Sequence, residues 1–135
     1  MRRRIKMNRL SSNMRAEQFP RSAGIELGAR FDALVHETSS TGWDGERARM
    51  IPISLWERAR ELAQVAAAEV PNLPAPFPSA CEDGSVHLRW AAPSRSLNVE
   101  LHADRILWTE KIGGMRSEGE SARIDVVSRL RALFG

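Results

Sequence analysis

The chain has 135 residues, 42% hydrophobic and 27% charged, which fits one globular domain able to bury a core without disulfides or metal. A single cysteine, Cys81, excludes an internal disulfide and a multi-cysteine zinc site, and no apolar run approaches the roughly 20 residues of a membrane span. The net charge of +3 and pI of about 10.0 suggest an acidic partner, but the charge is unevenly spread.

Arg2, Arg3, Arg4, Lys6, Arg9 and Arg15 all precede the first acid, Glu17, which leaves 14 basic against 17 acidic residues, a body near −3. Residues 1–22 are therefore read as a basic, flexible arm and 23–135 as a single domain. Met1-Arg2-Arg3-Arg4 is not followed by the apolar core of a signal peptide, so a soluble cytoplasmic protein is expected. From Ala23 to Glu37, the residues Ile25, Leu27, Phe31, Leu34 and Val35 recur at helical spacing. Gly24 and Gly28 argue for a later start, and Thr38-Ser39-Ser40-Thr41-Gly42 stops the helix by favouring local side-chain to backbone bonds. A second helix is expected from Ser54 or Leu55, where Ser54 and Glu57 have capping-box spacing. Leu55, Ala59, Leu62, Ala66 and Val70 form its inward stripe, and Pro71 ends it. Pro71, Pro74, Pro76 and Pro78 then read as a stiff connector, with Phe77 turned into the core.

Beyond the connector the period changes from 3.6 to 2. Val86, Leu88 and Trp90 alternate with polar residues, as do Leu97, Val99 and Leu101, and Arg105 to Thr109 continue as a third strand. Asp83-Gly84, Ala92 to Arg95, and Ala103-Asp104 are short turns, so neighbouring strands run antiparallel; Ser79 to Glu82 is a candidate fourth strand. Gly113 and Gly114 end the last strand. Ser121 then caps a C-terminal helix with Ile124, Val127, Leu130, Arg131 and Phe134 on one stripe. The expected fold class is α+β: two N-terminal helices, a three- to four-stranded antiparallel meander, and a C-terminal helix packed on one sheet face.

Gly42-Trp43-Asp44-Gly45 is the most distinctive short motif. Trp43 supplies an apolar plate and Asp44 an acceptor for backbone N–H groups one or two residues on, which favours a folded corner over a ligand loop. Along the strands, His87, Arg89, Asn98, Glu100 and His102 project opposite the apolar residues and would share one face if the strands pair in register. Two imidazoles and Glu100 have the chemistry of a zinc site, but a polar row is what the solvent face of an antiparallel sheet requires in any case. No metal and no cofactor are therefore expected. There is no nucleophile elbow, P-loop, dinucleotide fingerprint or zincin motif, and Cys81 has no activating neighbour in the sequence, so no catalytic residues are assigned.

Trp43-Asp44-Gly45, then Pro52-Ile53 leading into a helix, Pro78-Ser79, Asp83-Gly84 to Trp90, and Leu97-Asn98-Val99-Glu100 follow one another in a recognisable order. This resembles a group of small, largely uncharacterised bacterial proteins with the pattern W-D-G, helix, P-x-P-S, D-G-x-x-x-L-x-W and L-x-V-E, over roughly residues 25 to 110. The resemblance implies an α+β domain and brings no catalytic residues.

The expected function is binding of another protein, as an accessory, immunity or inhibitor-type component of a bacterium or its mobile or defence elements. The exposed sheet face would be the surface, with Trp43 and Asp44 at its margin. The first alternative is association with nucleic acid, the six cations of the arm contacting phosphates. The second is a metal-dependent hydrolase on the sheet face. No membrane partner is expected.

Overall fold

A computed structural model describes residues 21–135. Helix α1 (Arg21–Glu37) begins two residues before the expected start and runs through both glycines. Burial of Phe31 and Leu34 holds it, which outweighs the roughly 1 kcal/mol cost of each internal glycine. Ile25, expected on the inward stripe, is 65% exposed. The helix ends where the small polar run begins. Thr38 donates its Oγ1 hydroxyl to the Leu34 carbonyl at 2.7 Å, and the Ser39 hydroxyl donates to the His36 carbonyl at 2.9 Å. Thr38 is buried and its Oγ1 also accepts the Trp56 indole N–H at 2.9 Å, tying the end of α1 to the next helix.

That helix, α2 (Ile53–Glu69), does not use the expected capping box. Pro52 is its N-cap and no side chain bonds the free N–H groups there. Instead the Pro52 carbonyl accepts from Leu55 at 3.0 Å, so the helix starts one residue earlier than Ser54. Its inward face is the expected one, Leu55, Ala59, Leu62 and Ala66 being buried together with Trp56 and Ala63. Val70 leaves helical geometry immediately before Pro71, as the proline requires.

The sheet has five strands in sequence order, all antiparallel: β1 (Phe77–Ala80), β2 (Val86–Ala92), β3 (Arg95–Leu101), β4 (Ile106–Ile112) and β5 (Met115–Ser121). The register aligns Leu88, Val99 and Trp108, and Val86, Leu101 and Ile106, so the apolar alternate positions form one face. With α1, α2 and α3 (Arg123–Phe134) they build a single core. The fold is α+β with the helices on that face, as expected, but three details differ from expectation.

First, Phe77 is not in the core. It pairs with Arg89 across β1 and β2, on the face away from the helices, while neighbouring Pro78 takes the inward position. The ring is 57% exposed and is covered by the Arg30 guanidinium at 4.3 Å. The edge strand accordingly spans 77–80, and Glu82 belongs to the turn.

Second, Gly113 and Gly114 are a hairpin turn into β5, a strand whose Arg116, Ser117 and Glu118 are exposed and carry no period-2 apolar pattern. Backbone pairing to β4 recruits it, and Gly119 lets it approach closely. A Cβ there would lie 2.7 Å from Cζ2 of Trp108. Third, Ser121 ends β5 rather than capping α3, whose N-cap is Ala122 without a side-chain bond. The Ser121 hydroxyl accepts the Trp108 indole N–H at 2.8 Å. The inward stripe of α3 is Val126, Val127, Leu130 and Leu133, whereas Arg131 is on the surface at 3.3 Å from Glu69.

Candidate binding groove at one end of the open sheet face

The face away from the helices carries two cross-strand rows, polar except at Leu107. One runs Arg89, Asn98, Thr109, Glu118, and the other His87, Glu100, Leu107, Glu120. The expected set is thereby brought to one side: Arg89 stands opposite Asn98, His87 opposite Glu100, and His102 follows two residues after Glu100. The two imidazoles do not converge. The His102 Nε2 lies 2.9 Å from Glu100 Oε1, whereas the His87 Nε2 lies 3.3 Å from the Ser85 hydroxyl.

Trp43 and Asp44 form the structural corner that the motif suggests. Asp44 Oδ1 accepts the backbone N–H groups of Glu46 at 2.9 Å and Ala48 at 3.1 Å, and the Trp43 indole N–H donates to the Arg49 carbonyl at 2.7 Å. Neither is among the residues that line the groove beside them. Their effect is to hold the segment 46–49 against the β1–β2 turn, where the Arg49 N–H donates to the Glu82 carbonyl at 2.9 Å.

The result is an open groove of about 880 Å³. Glu46, Arg47 and Arg49 come from the corner, Glu82 and Asp83 from the β1–β2 turn, and His102 and Arg105 from the β3–β4 turn.

Both turns are braced. Asp83 Oδ1 accepts from the Ser85 N–H at 2.9 Å and from its hydroxyl at 2.5 Å. Gly84 takes the left-handed φ of +90° that lets the chain reverse between them, and a side chain there would also meet Arg49. The Ser85 hydroxyl, chiefly, holds the Asp83 carboxyl below its ordinary value against the opposing effect of partial burial. In the β3–β4 turn, Arg58 of α2 donates to the His102 and Ala103 carbonyls at 3.1 and 3.3 Å.

The arginines divide sharply. From Arg30 onward, eight are engaged through the guanidinium by carboxylates, carbonyls or aromatic rings: Arg30, Arg58, Arg60, Arg95, Arg116, Arg123, Arg129 and Arg131. Arg47, Arg49, Arg89 and Arg105 have no such guanidinium partner among the described residues. Three of those four line the groove, and Arg89 stands on the adjoining face.

Comparison with protein-family models, with curated proteins and with solved structures finds no match for this chain. Arg2, Arg3, Arg4, Lys6, Arg9 and Arg15 lie outside the described residues. Among the described residues, no helix is long and apolar enough to cross a membrane. Sequence reasoning missed Arg47, Arg49, Asp83 and Arg105 as site residues. Asp83 carries a readable signal as the first residue of a D-G turn, but the arginines differ from the paired ones only through their surroundings in the fold.

Proposed function

We propose that this chain is a small protein-binding domain that takes an acidic segment of another protein along the groove and the adjoining open sheet face. What supports the reading is that Arg47, Arg49 and Arg105 in the groove, and Arg89 on the adjoining strand, have no guanidinium partner among the described residues. The other described arginines from Arg30 onward are engaged by a carboxylate, a carbonyl or an aromatic ring. An unpaired arginine offers a planar fork of donors matched to a carboxylate, and arginine is enriched where interfaces concentrate their energy. The body is mildly acidic overall and the groove also carries Glu46, Glu82 and Asp83, so attraction to an acidic segment rests on the unpaired guanidinium groups themselves and not on net charge. The proposed setting is the bacterial cytoplasm, where an unpaired Cys81 stays reduced, and the proposed role is accessory, immunity or inhibitor-type without catalysis.

The test is selection from a displayed random-peptide library in EDTA at about 50 mM salt. It uses the wild type and an Arg47→Ala/Arg49→Ala/Arg105→Ala variant shown to fold by circular dichroism. Enrichment of Asp- and Glu-rich peptides by the wild type, reduced at least tenfold in the variant and weakened by added salt, is expected. Absence of acidic enrichment, equal enrichment by both proteins, or tighter binding of a single-stranded oligonucleotide than of any selected peptide would overturn the reading.

A further inference from the structure

Beside the groove, three side chains from two stretches of chain converge. Asp83 comes from the β1–β2 turn, Glu100 from β3, and His102 from the β3–β4 turn. One ligand atom of each lies within 4.8 Å of the other two. We propose that Asp83, Glu100 and His102 bind a zinc ion in a site with a fourth position open to the groove. This goes beyond the protein-binding reading and does not depend on it.

The donor set carries the choice of ion. Two carboxylates supply two negative charges for a divalent cation, and the imidazole nitrogen separates the site from the all-oxygen cages that hold calcium or magnesium. Spacing agrees with this. Ligands about 2.1 Å from one ion, at angles between octahedral and tetrahedral, stand about 3.0–3.4 Å apart. Glu100 Oε1 and His102 Nε2 are already 2.9 Å apart, so an ion can enter between them with little backbone change. Asp83 is exposed and already offers a carboxylate oxygen within 4.8 Å of both other ligand atoms.

The supports are of the kind that orient metal ligands. Ser85, 1% exposed, grips Asp83 through both its N–H and its hydroxyl. Arg58 pins the carbonyls of His102 and the following residue, and cross-strand pairing with β2 places Glu100. Cys81 stands two residues before Asp83. It lies outside the three-residue cluster and is not assigned as a ligand. On the open side, Arg49 and Arg105 flank the groove, where they would hold an anionic fourth ligand.

The test is calorimetric titration of zinc chloride into the metal-stripped full-length chain at pH 7.5, with magnesium chloride as the comparison ion. One equivalent of zinc should bind in the micromolar range or tighter, at least a hundredfold more tightly than magnesium. Asp83→Asn, Glu100→Gln and His102→Ala should each weaken zinc at least tenfold, and His36→Ala and Cys81→Ser less than threefold. Because a variant can lose binding by unfolding, the wild-type histidine ring resonances are followed in parallel. Zinc should shift those of His102 at one equivalent and leave His36 in place. No zinc uptake, uptake unaffected by the three ligand substitutions, or His36 shifting in place of His102 would overturn the proposal. None of these outcomes bears on acidic-peptide selection, which is run in EDTA.

Discussion

Gly119→Ala isolates one close contact in the sheet. Gly119 lies on β5 opposite Trp108, and its backbone is not in the left-handed region, so alanine is conformationally acceptable there. Space is the obstacle. The added Cβ would sit 2.7 Å from Cζ2 and 3.0 Å from Cε2 of the indole, and restoring an ordinary 3.4 Å contact needs a shift of about 0.7 Å. The ring has no easy route: Arg129 stacks on it at 3.4 Å, and its N–H is committed to Ser121 at 2.8 Å.

Overpacking of this kind costs about 1–3 kcal/mol, and the stiffer unfolded chain returns about 0.4–1 kcal/mol. The expected net loss is about 1–2 kcal/mol. It is read from the urea midpoint at unchanged slope, with tryptophan fluorescence as the probe. In a Trp108→Leu background the same substitution should be neutral or slightly stabilising, because the atoms it strikes are gone. Equal stability of Gly119→Ala and wild type, or the same loss in both backgrounds, would refute the reasoning.

Thr38→Val should cost about 1–3 kcal/mol in the same assay, since it leaves the buried Trp56 indole N–H without its acceptor, whereas Thr38→Ser should lose less than about 1 kcal/mol. Asp44→Ala removes the acceptor for two backbone N–H groups in an exposed loop. It should lower stability by about 1 kcal/mol, speed hydrogen exchange at Glu46 and Ala48, and weaken acidic-peptide binding by releasing Arg47 and Arg49. Asp44→Asn, which keeps the acceptor oxygen, should preserve slow exchange at both amides.

Much of the fold is written in local patterns. Val86, Leu88 and Trp90, with Leu97, Val99 and Leu101, announce two half-buried strands because alternation has the period of a pleated backbone. The inward stripe of α2 and its stop before Pro71 are legible for the same kind of reason. Strand β5 was not legible: its residues are polar on both faces, and what makes them a strand is the neighbouring backbone of β4. Phe77 shows a parity error of one residue, which in a strand exchanges the core for the open face. Ser54, Glu57 and Ser121 have capping chemistry, yet Pro52 and Ala122 occupy the caps, because the chain entering each helix is set by tertiary packing.

The candidate site divides along the same line. By itself the sequence determined the antiparallel sheet, its polar outward row of His87, Arg89, Asn98 and Glu100, and the Trp43-Asp44 corner, all of which depend on neighbours only a few residues away. Only the tertiary structure decided that Arg49, Asp83 and Arg105 meet His102 in one groove, that His87 turns to Ser85 instead of joining it, and which arginines are left without a partner among the described residues. Those are relations between turns far apart in the chain. No short-range pattern encodes them, because the distance between two turns is set by strand register and by the helix packed behind the sheet.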